Sequence, residues 1–251
     1  MSWTIFAANL LESATSVVSV SPAALTTNPL TRVYDRDKTF QYVGGSAAQT
    51  DIDIDLGSAL PVTAIAFLNH NITGVTISIR ADTTSPGTTE RATLAATAAD
   101  AIVSVTQTLR YWRVRIPAMA SAPQIGEILL GVPRTIAQNP ILEGAARVRR
   151  PNVRVDESSG GYPVGVKLGA PRTVLAPLWN YITTADLAEL TGAADDSSDG
   201  TKPLLLQDEM SVLRWMSWHT VDLRPVPIIP TTAGATAYAI GNAGEFVEVP
   251  A

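Results

Sequence analysis

The feature that most constrains the fold is a strict two-residue alternation, followed soon after by an almost wholly apolar run. In residues 51–56, aspartates alternate with two isoleucines and a leucine, which places carboxylates on one strand face and apolar side chains on the other. In residues 62–68 nearly every side chain is apolar, as is typical of a strand buried on both faces. Shorter alternating segments follow at 75–79, 112–116 and 164–168. The chain is therefore predicted to be all-β, with a sandwich as its main architecture.

The order of these segments predicts two domains. Residues 1–132 carry the first group of strands and form the first predicted domain. Residues 133–152 combine prolines with arginines and show no sustained period, which indicates a linker. Residues 153–251 return to strand patterns, so we predict a second, β-rich domain there.

One short helix is predicted in the second domain, near residues 183–191. Thr183 is suited to cap its first turn, and Asp186 lies three residues further on, where its carboxylate faces free backbone amides. Gly192 suits the left-handed position that ends a helix.

Composition and charge exclude several classes of function. The 251 residues include 18 Lys and Arg against 23 Asp and Glu, a net charge of −5, so nucleic acid is not an expected partner. The chain has no cysteine and two histidines, which leaves no thiolate site and no multi-histidine metal centre. No run approaches the roughly 20 apolar residues that cross a bilayer, so membrane insertion is not expected.

The search for catalytic and cofactor motifs gives no candidate. The chain lacks a nucleophile elbow, a phosphate-binding loop, a zinc-protease motif and a dinucleotide fingerprint. The alternating aspartates of residues 51–56 do not match a calcium loop, because Leu56 and Val62 stand where that loop needs glycine and glutamate. We expect a binding or structural protein with no catalytic residues, no metal and no cofactor.

A small polar cluster is the candidate ligand site. Asn69, His70 and Asn71 directly follow the apolar run, where their side chains have two possible roles. They can bind sugar hydroxyls, with Tyr34 and Tyr42 as the nearby aromatic candidates. They can equally close a turn, with the asparagine side chains bonded to backbone.

The order of motifs in the first half resembles the discoidin, or coagulation-factor C-type, galactose-binding jelly roll. The motifs that carry the resemblance are residues 34–37, 52–57, 62–68, 111–116 and 125–131. The resemblance implies an N-terminal galactose-binding-like jelly-roll sandwich. Secreted relatives usually carry a terminal disulfide, whereas a chain without cysteine suits assembly in a bacterial cytoplasm.

Other motifs resemble structural proteins of tailed phages. Residues 69–71 and 125–127 are similar to versions of the jelly roll found in phage and prophage structural proteins. Residues 169–173, 183–190 and 200–206 resemble, in that order, the ring-forming part of distal-tail and tail-tip proteins.

The resemblance implies a structural subunit of a phage tail tip or baseplate. Such a subunit forms a homo-oligomeric ring around the tail axis, contacts other tail proteins, and resides in the virion tail after synthesis in the bacterial host cytoplasm. Residues 225–230 are expected to be extended and outside any sheet ladder, and with the C-terminal strand to reach a neighbouring subunit. The alternative function is a carbohydrate-binding module that contacts host surface glycans during attachment.

Overall fold

The structure is a computed structural model, and its described residues form two units. They are residues 2–13, 15–97, 99–138, 140, 148–150, 153–157, 163–167, 172–175, 177, 179–198, 200–208, 211–219, 223, 226–228, 237–240 and 245–249. One unit is Ala8–Pro133, and the other combines Met1–Ala7 with Arg134–Pro250.

Strands dominate both units. In chain order they are β1 (Trp3–Phe6), β2 (Val17–Ser21), β3 (Tyr42–Val43), β4 (Thr50–His70), β5 (Thr76–Asp82), β6 (Glu90–Ala95), β7 (Ala101–Ile116), β8 (Gln124–Gly131), β9 (Arg134–Ile136), β10 (Val148–Arg150), β11 (Val153–Glu157), β12 (Pro163–Lys167), β13 (Arg172–Leu175), β14 (Trp179–Thr183), β15 (Leu204–Gln207), β16 (Leu213–His219), β17 (Val226–Ile228), β18 (Ala237–Ile240) and β19 (Glu245–Glu248). Within the described residues the one α-helix is α1 (Thr184–Asp196), and short 3-10 turns occupy Leu10–Glu12 and Leu30–Val33. The predicted all-β class with one short helix is confirmed.

The Ala8–Pro133 unit is a jelly-roll sandwich built around two long strands. Its strands follow the order β3-β8-β4-β7-β5-β6, and β2 pairs with the first part of β4. The register between β4 and β7 shifts between Asp55 and Leu60 and again between Val62 and Ala64. Before these shifts β4 lies between β2 and the end of β7, and after them it lies between β8 and the start of β7. The same two strands therefore contribute to both layers of the sandwich.

The alternation in β4 determines which side chains enter the core. Ile52, Ile54 and Leu56 are at most 2% exposed and pack in one apolar cluster with residues of β5, β7 and β8. The intervening aspartates lie on the opposite strand face and stay partly exposed. Burial of the apolar face is the main driving force for this arrangement.

The second unit has a large sheet, a three-stranded sheet and a two-stranded ribbon. The large sheet has the order β10-β13-β19-β16-β15-β1-β9, the smaller one β14-β18-β17, and the ribbon is β11-β12. The core of this unit is aromatic. The ring centroid of Trp3 lies 6.0 Å from those of both Trp179 and Phe246, and the Trp218 ring stacks on Phe246 with 4.7 Å between centroids. The first strand of the chain therefore contributes a central side chain to this core.

The observed units differ from the predicted domain limits of 1–132, 133–152 and 153–251. β1 pairs with β9 and β15, so the N-terminal strand belongs with the second half of the chain. The predicted linker contains β9 and β10, which are strands of the large sheet, while its residues 141–147 lie outside the described residues. Single-strand periodicity cannot reveal such pairing, because Ile5 of β1 and its partner Leu206 of β15 lie 201 positions apart in the sequence.

The C-terminal segments also pair within their own chain. Residues 226–228 of the proline-rich segment form β17, which pairs with β18, so the prediction that no ladder includes this segment was wrong. β19 lies between β13 and β16, so it is not free to extend to a neighbour. Proline is compatible with β17 because, among the described strands, it lies at the edge of its sheet.

The helix start is as predicted, and its end is not. Thr183 Oγ1 accepts a hydrogen bond from the Asp186 amide at 3.1 Å, which confirms the cap. The helix continues through Gly192 to Asp196. Gly192 serves there as a gap in the helix surface, since a Cβ atom at this position would collide with the guanidinium of Arg134.

Candidate functional site

The two tyrosines predicted to bind sugar are not presented to solvent as ring platforms. Tyr42 is fully buried, its hydroxyl has no hydrogen-bond partner among the described residues, and burial raises its pKa to about 12. Tyr34 ends the Leu30–Val33 turn and is half-buried against the core. Their rings therefore contribute mainly to packing.

The two asparagines of the predicted cluster bind backbone groups. Asn69 has a left-handed backbone with φ of 48°, and its Nδ2 donates to the Lys38 carbonyl at 2.6 Å. Asn71 Nδ2 donates to the Ala122 carbonyl at 2.9 Å, and Asn71 Oδ1 accepts from the Gln124 amide at 2.8 Å. This geometry matches the turn-closing role, the second of the two roles that the sequence left open.

His70 is packed inside the unit. It is 6% exposed, its ring meets Phe67 edge-on at 6.5 Å, and neither ring nitrogen has a hydrogen-bond partner among the described residues. Burial lowers the pKa of His70, and the charge of Asp100 with nearby backbone of Ala99 and Ile72 opposes that shift. Burial therefore favours the neutral imidazole over its charged form and leaves little of the ring in contact with solvent.

A cleft of about 260 Å³ opens in another part of the same unit. Strands β2, β4 and β7 and the loop between β5 and β6 supply its walls, which are lined by Val17, Ser19, Asp53, Ile54, Asp55, Ser85, Pro86, Gly87, Tyr111 and Trp112. These residues offer two carboxylates, two aliphatic hydroxyls and one phenol beside an apolar wall. The cleft therefore combines a concave surface with several polar groups, as a site for a small polar ligand requires.

Strand register explains how the polar groups converge on the cleft. Ser19 of β2 stands opposite Asp53 of β4, and Asp53 stands opposite Arg113 of β7. Directly opposed residues in an antiparallel sheet share a face, so the β4 aspartates project beside the β2 serine and the β7 arginines.

Arginines fix the cleft carboxylates in position. Arg113 donates to Asp53 from Nε at 2.5 Å and from Nη2 at 2.9 Å, and Arg110 donates to Asp55 at 2.6 and 2.9 Å in the same two-bond form. The hydrogen bonds from Arg110 hold the pKa of Asp55 below its usual value. Each carboxylate keeps lone pairs that its arginine does not use, and these can accept from a ligand hydroxyl.

Aromatic residues complete the cleft. Arg110 lies over the Tyr111 ring, with its guanidinium carbon 4.8 Å from the ring centroid. Trp112 is 1% exposed and donates from Nε1 to the Leu109 carbonyl at 3.1 Å, so it forms a fixed floor. Tyr111 is half-exposed and is the aromatic side chain within reach of a ligand.

The cleft was not predicted from the sequence, because the alternating aspartates indicated a strand face and, without a calcium loop, no ligand site. One available signal was the complementary pattern of the two strands. Aspartates alternate through residues 51–55, and Arg113 and Arg115 alternate with apolar residues in 112–116. Two such strands, if antiparallel neighbours, place opposite charges side by side.

The described residues show no site for a metal ion and no membrane-spanning helix. They contain no group of three or more histidine or acidic side chains arranged to hold a metal. Among them, no helix has the length and apolar character needed to cross a bilayer.

Comparison with known proteins gives matches in structure alone. No family model and no curated protein matches the sequence. A mutant of chitosan-binding module 1 from a Paenibacillus sp. IK-5 chitosanase/glucanase is 14% identical with a TM-score of 0.44, and the match covers 49% of this chain and 97% of that one. CpGH89CBM32-6 of Clostridium perfringens is 16% identical with a TM-score of 0.42, over 49% of this chain and 97% of that one. A Ruminococcus gnavus GH29 fucosidase in complex with fucose is 17% identical with a TM-score of 0.46, over 51% of this chain and 27% of the fucosidase.

Proposed function

We propose that the Ala8–Pro133 unit is a carbohydrate-binding module and that the cleft around Tyr111 is its binding site. The observation that carries the proposal is the convergence of arginine-fixed Asp53 and Asp55 with Ser19 and the half-exposed Tyr111 ring. A cleft of about 260 Å³ suits a ligand of one sugar residue, since pockets for drug-sized ligands span roughly 300–1,000 Å³.

The chemistry of the cleft matches a polyhydroxylated ring. Sugar hydroxyls donate to the free lone pairs of Asp53 and Asp55, whose positions do not change on binding because Arg113 and Arg110 already hold them. The ring C–H groups of a sugar pack on Tyr111 and on the apolar wall. Because the polar groups are already in place, little conformational entropy is lost on binding.

A matched pair of tyrosine variants tests this proposal. Tyr111→Leu removes the platform from the cleft, and Tyr181→Leu makes the same change at a tyrosine that is 46% exposed in the other unit. After a glycan array identifies a ligand, calorimetry should show at least a tenfold loss of affinity for Tyr111→Leu, with Tyr181→Leu unchanged. Tyr34→Phe, which alters the site predicted from sequence, should also bind normally.

Two results would contradict the proposal. If the wild-type chain binds no glycan of a broad panel, the proposed function is excluded. Binding that survives Tyr111→Leu but is lost in Tyr34→Phe moves the site to the turn region predicted from sequence.

We also propose that the unit formed by residues 1–7 and 134–250 has the assembly role predicted from sequence, as a subunit of a phage tail tip. The observation that favours it is the ribbon β11–β12, whose strands pair with each other over five residue pairs and, among the described residues, with no other strand. A two-stranded ribbon by itself is marginally stable in water, and edges that no described strand covers suit pairing with a neighbouring subunit.

Oligomeric state tests the assembly role. Light scattering over a concentration series, with negative-stain imaging, should find closed rings of the full chain, alone or after tail proteins are added. Replacing residues 153–167 with a short glycine-rich turn should abolish the rings and leave glycan affinity unchanged. A strict monomer that binds no tail protein would exclude this role.

A further inference from the structure

We infer that Arg32 and Phe40 form a second ligand-binding surface on the Ala8–Pro133 unit, which takes a carboxylate-bearing sugar such as a uronic acid. The inference rests on the proposed function for the class of ligand, but it uses different residues from the cleft. Its geometry comes from one arginine whose side chain makes no hydrogen bond to a described residue and from one exposed aromatic residue.

Arg32 differs from the other described arginines of this unit. The Arg32 amide donates to the Pro29 carbonyl at 3.2 Å, but its side chain donates to no described residue, and its buried Nε atom has no partner among them. The other arginines of the unit each donate at least one hydrogen bond; they are Arg36, Arg80, Arg91, Arg110, Arg113 and Arg115. The terminal N–H groups of Arg32 are therefore not used by the described part of the fold.

Phe40 fixes the position of this guanidinium and offers a surface of its own. The Arg32 guanidinium carbon lies 4.8 Å from the Phe40 ring centroid, within the range of a cation–π contact. Phe40 is nevertheless 56% exposed, so the guanidinium leaves part of this residue open to solvent. Apolar side chains with this exposure are usual when scattered, but here the ring is held against an arginine whose side chain has no hydrogen-bond partner among the described residues.

The backbone around Phe40 is well anchored, which favours a preformed surface. The Phe40 amide donates to the Asp37 carbonyl at 3.2 Å, and the next residue, Gln41, donates from Nε2 to the Asn69 carbonyl at 2.7 Å. The Gln41 carbonyl also accepts from Asn28 Nδ2 at 3.1 Å. A ligand therefore meets a ring whose backbone does not need to be ordered on binding.

The chemistry of the pair selects a carboxylate next to an apolar ring face. A planar guanidinium binds a carboxylate through two parallel hydrogen bonds, and the open part of Phe40 packs on the C–H face of a pyranose. Asp35 is the acidic side chain whose charge interacts with Arg32, but the two make no ion pair within 4.0 Å. A ligand carboxylate therefore displaces no existing bond.

A ligand titration followed by nuclear magnetic resonance tests the inference. It uses the full chain, in which the Ala8–Pro133 unit carries the label. The signals followed are the Arg32 Nε–H and the Phe40 ring, and the probes are glucuronate, methyl glucoside and acetate. Glucuronate should shift both signals, whereas methyl glucoside and acetate should do so at least tenfold more weakly. Arg32→Gln should abolish the Phe40 shift. Arg91→Gln, the same change at an arginine bonded to the Ala81 carbonyl, should leave it intact.

Each remaining outcome overturns the inference. Equal shifts with acetate indicate a site for simple anions, equal shifts with methyl glucoside indicate no role for the carboxylate, and shifts that persist in Arg32→Gln place the ligand elsewhere. A failure of the proposed cleft site can be distinguished from a failure of this inference. The cleft is tested with the Tyr111→Leu variant, which does not alter the Arg32 and Phe40 signals.

Discussion

Arg113 of β7 holds Asp53 of β4 through two parallel bonds, of 2.5 Å from Nε and 2.9 Å from Nη2, and its Nη1 lies 3.4 Å from Asp51. One guanidinium therefore joins two carboxylates on the neighbouring long strand. Its side chain is 14% exposed, which limits screening by water and salt. The pairing fixes the register of β4 against β7 and also the position of a cleft oxygen.

Replacing Arg113 with Met should destabilise the protein more than the same change at Arg110. Arg113→Met leaves Asp53 and Asp51 without a shared cation in a partly buried place, and we expect a loss of about 1–3 kcal/mol in the free energy of unfolding. Arg110 is 42% exposed, so solvent screens its pair with Asp55 and the loss of that pair should cost less free energy of unfolding. Urea unfolding of both variants measures the difference; equal losses would show that burial does not control these pairs.

A buried carboxyl should make stability fall as pH rises. Glu127 of β8 is fully buried, and burial raises its pKa to about 9 from an ordinary value of 4.5. Between these values the unfolded chain releases this proton and the folded chain keeps it, so the folded state binds more protons. The contribution of Glu127 is then full below about pH 4.5 and decreases as pH rises toward 9.

Glu127→Gln should remove most of this pH dependence. In the wild type, Glu127 Oε2 accepts from the Arg36 amide at 3.0 Å and Oε1 accepts from Asn9 Nδ2 at 3.3 Å. A glutamine side chain has one oxygen and can keep only one of these bonds, so the substitution should lower the free energy of unfolding by about 1 kcal/mol at pH 5. At pH 9 the variant should equal or exceed the wild type. The free energy of unfolding, measured from pH 5 to 9, would contradict this if both proteins showed the same slope.

Local patterns predicted the elements that depend on short-range chemistry. The buried face of β4 follows from the two-residue alternation of its side chains. The Thr183 cap follows from a hydroxyl that lies three residues before the amide it binds. The cleft does not follow from any one segment, because it requires β2, β4 and β7 to be neighbours. The same limit applies to β1, whose partners lie far along the chain.

Gly192 and Arg134 should be energetically coupled. Arg134 donates from Nε to Asp196 at 2.6 Å and lies 3.5 Å from Glu189, in the space that a Cβ at Gly192 would occupy. Gly192→Ala alone gains about 1 kcal/mol of helix propensity but displaces this guanidinium, so we expect almost no net change.

A double-mutant cycle separates the two effects. In an Arg134→Met background the obstruction and the ion pairs are both reduced, and Gly192→Ala should then raise the free energy of unfolding by about 1 kcal/mol. Identical effects of Gly192→Ala in the two backgrounds would show that the guanidinium moves aside without cost.

Removal of residues 1–7 should unfold the second unit and spare the first. β1 lies between β9 and β15 in the large sheet, and Trp3 is fully buried against Trp179 and Phe246. The loss of Trp3 opens a cavity in the core, and a Trp-to-Ala change alone lowers the free energy of unfolding by about 3–5 kcal/mol. The loss of β1 also removes its pairings with β9 and β15. Residues 8–133 contain their own apolar cluster and should fold as an isolated fragment. Circular dichroism and proteolysis of the fragment 8–133 and of the truncated chain 8–251 measure both expectations. Cooperative unfolding of the whole truncated chain at the wild-type temperature would show that β1 is dispensable.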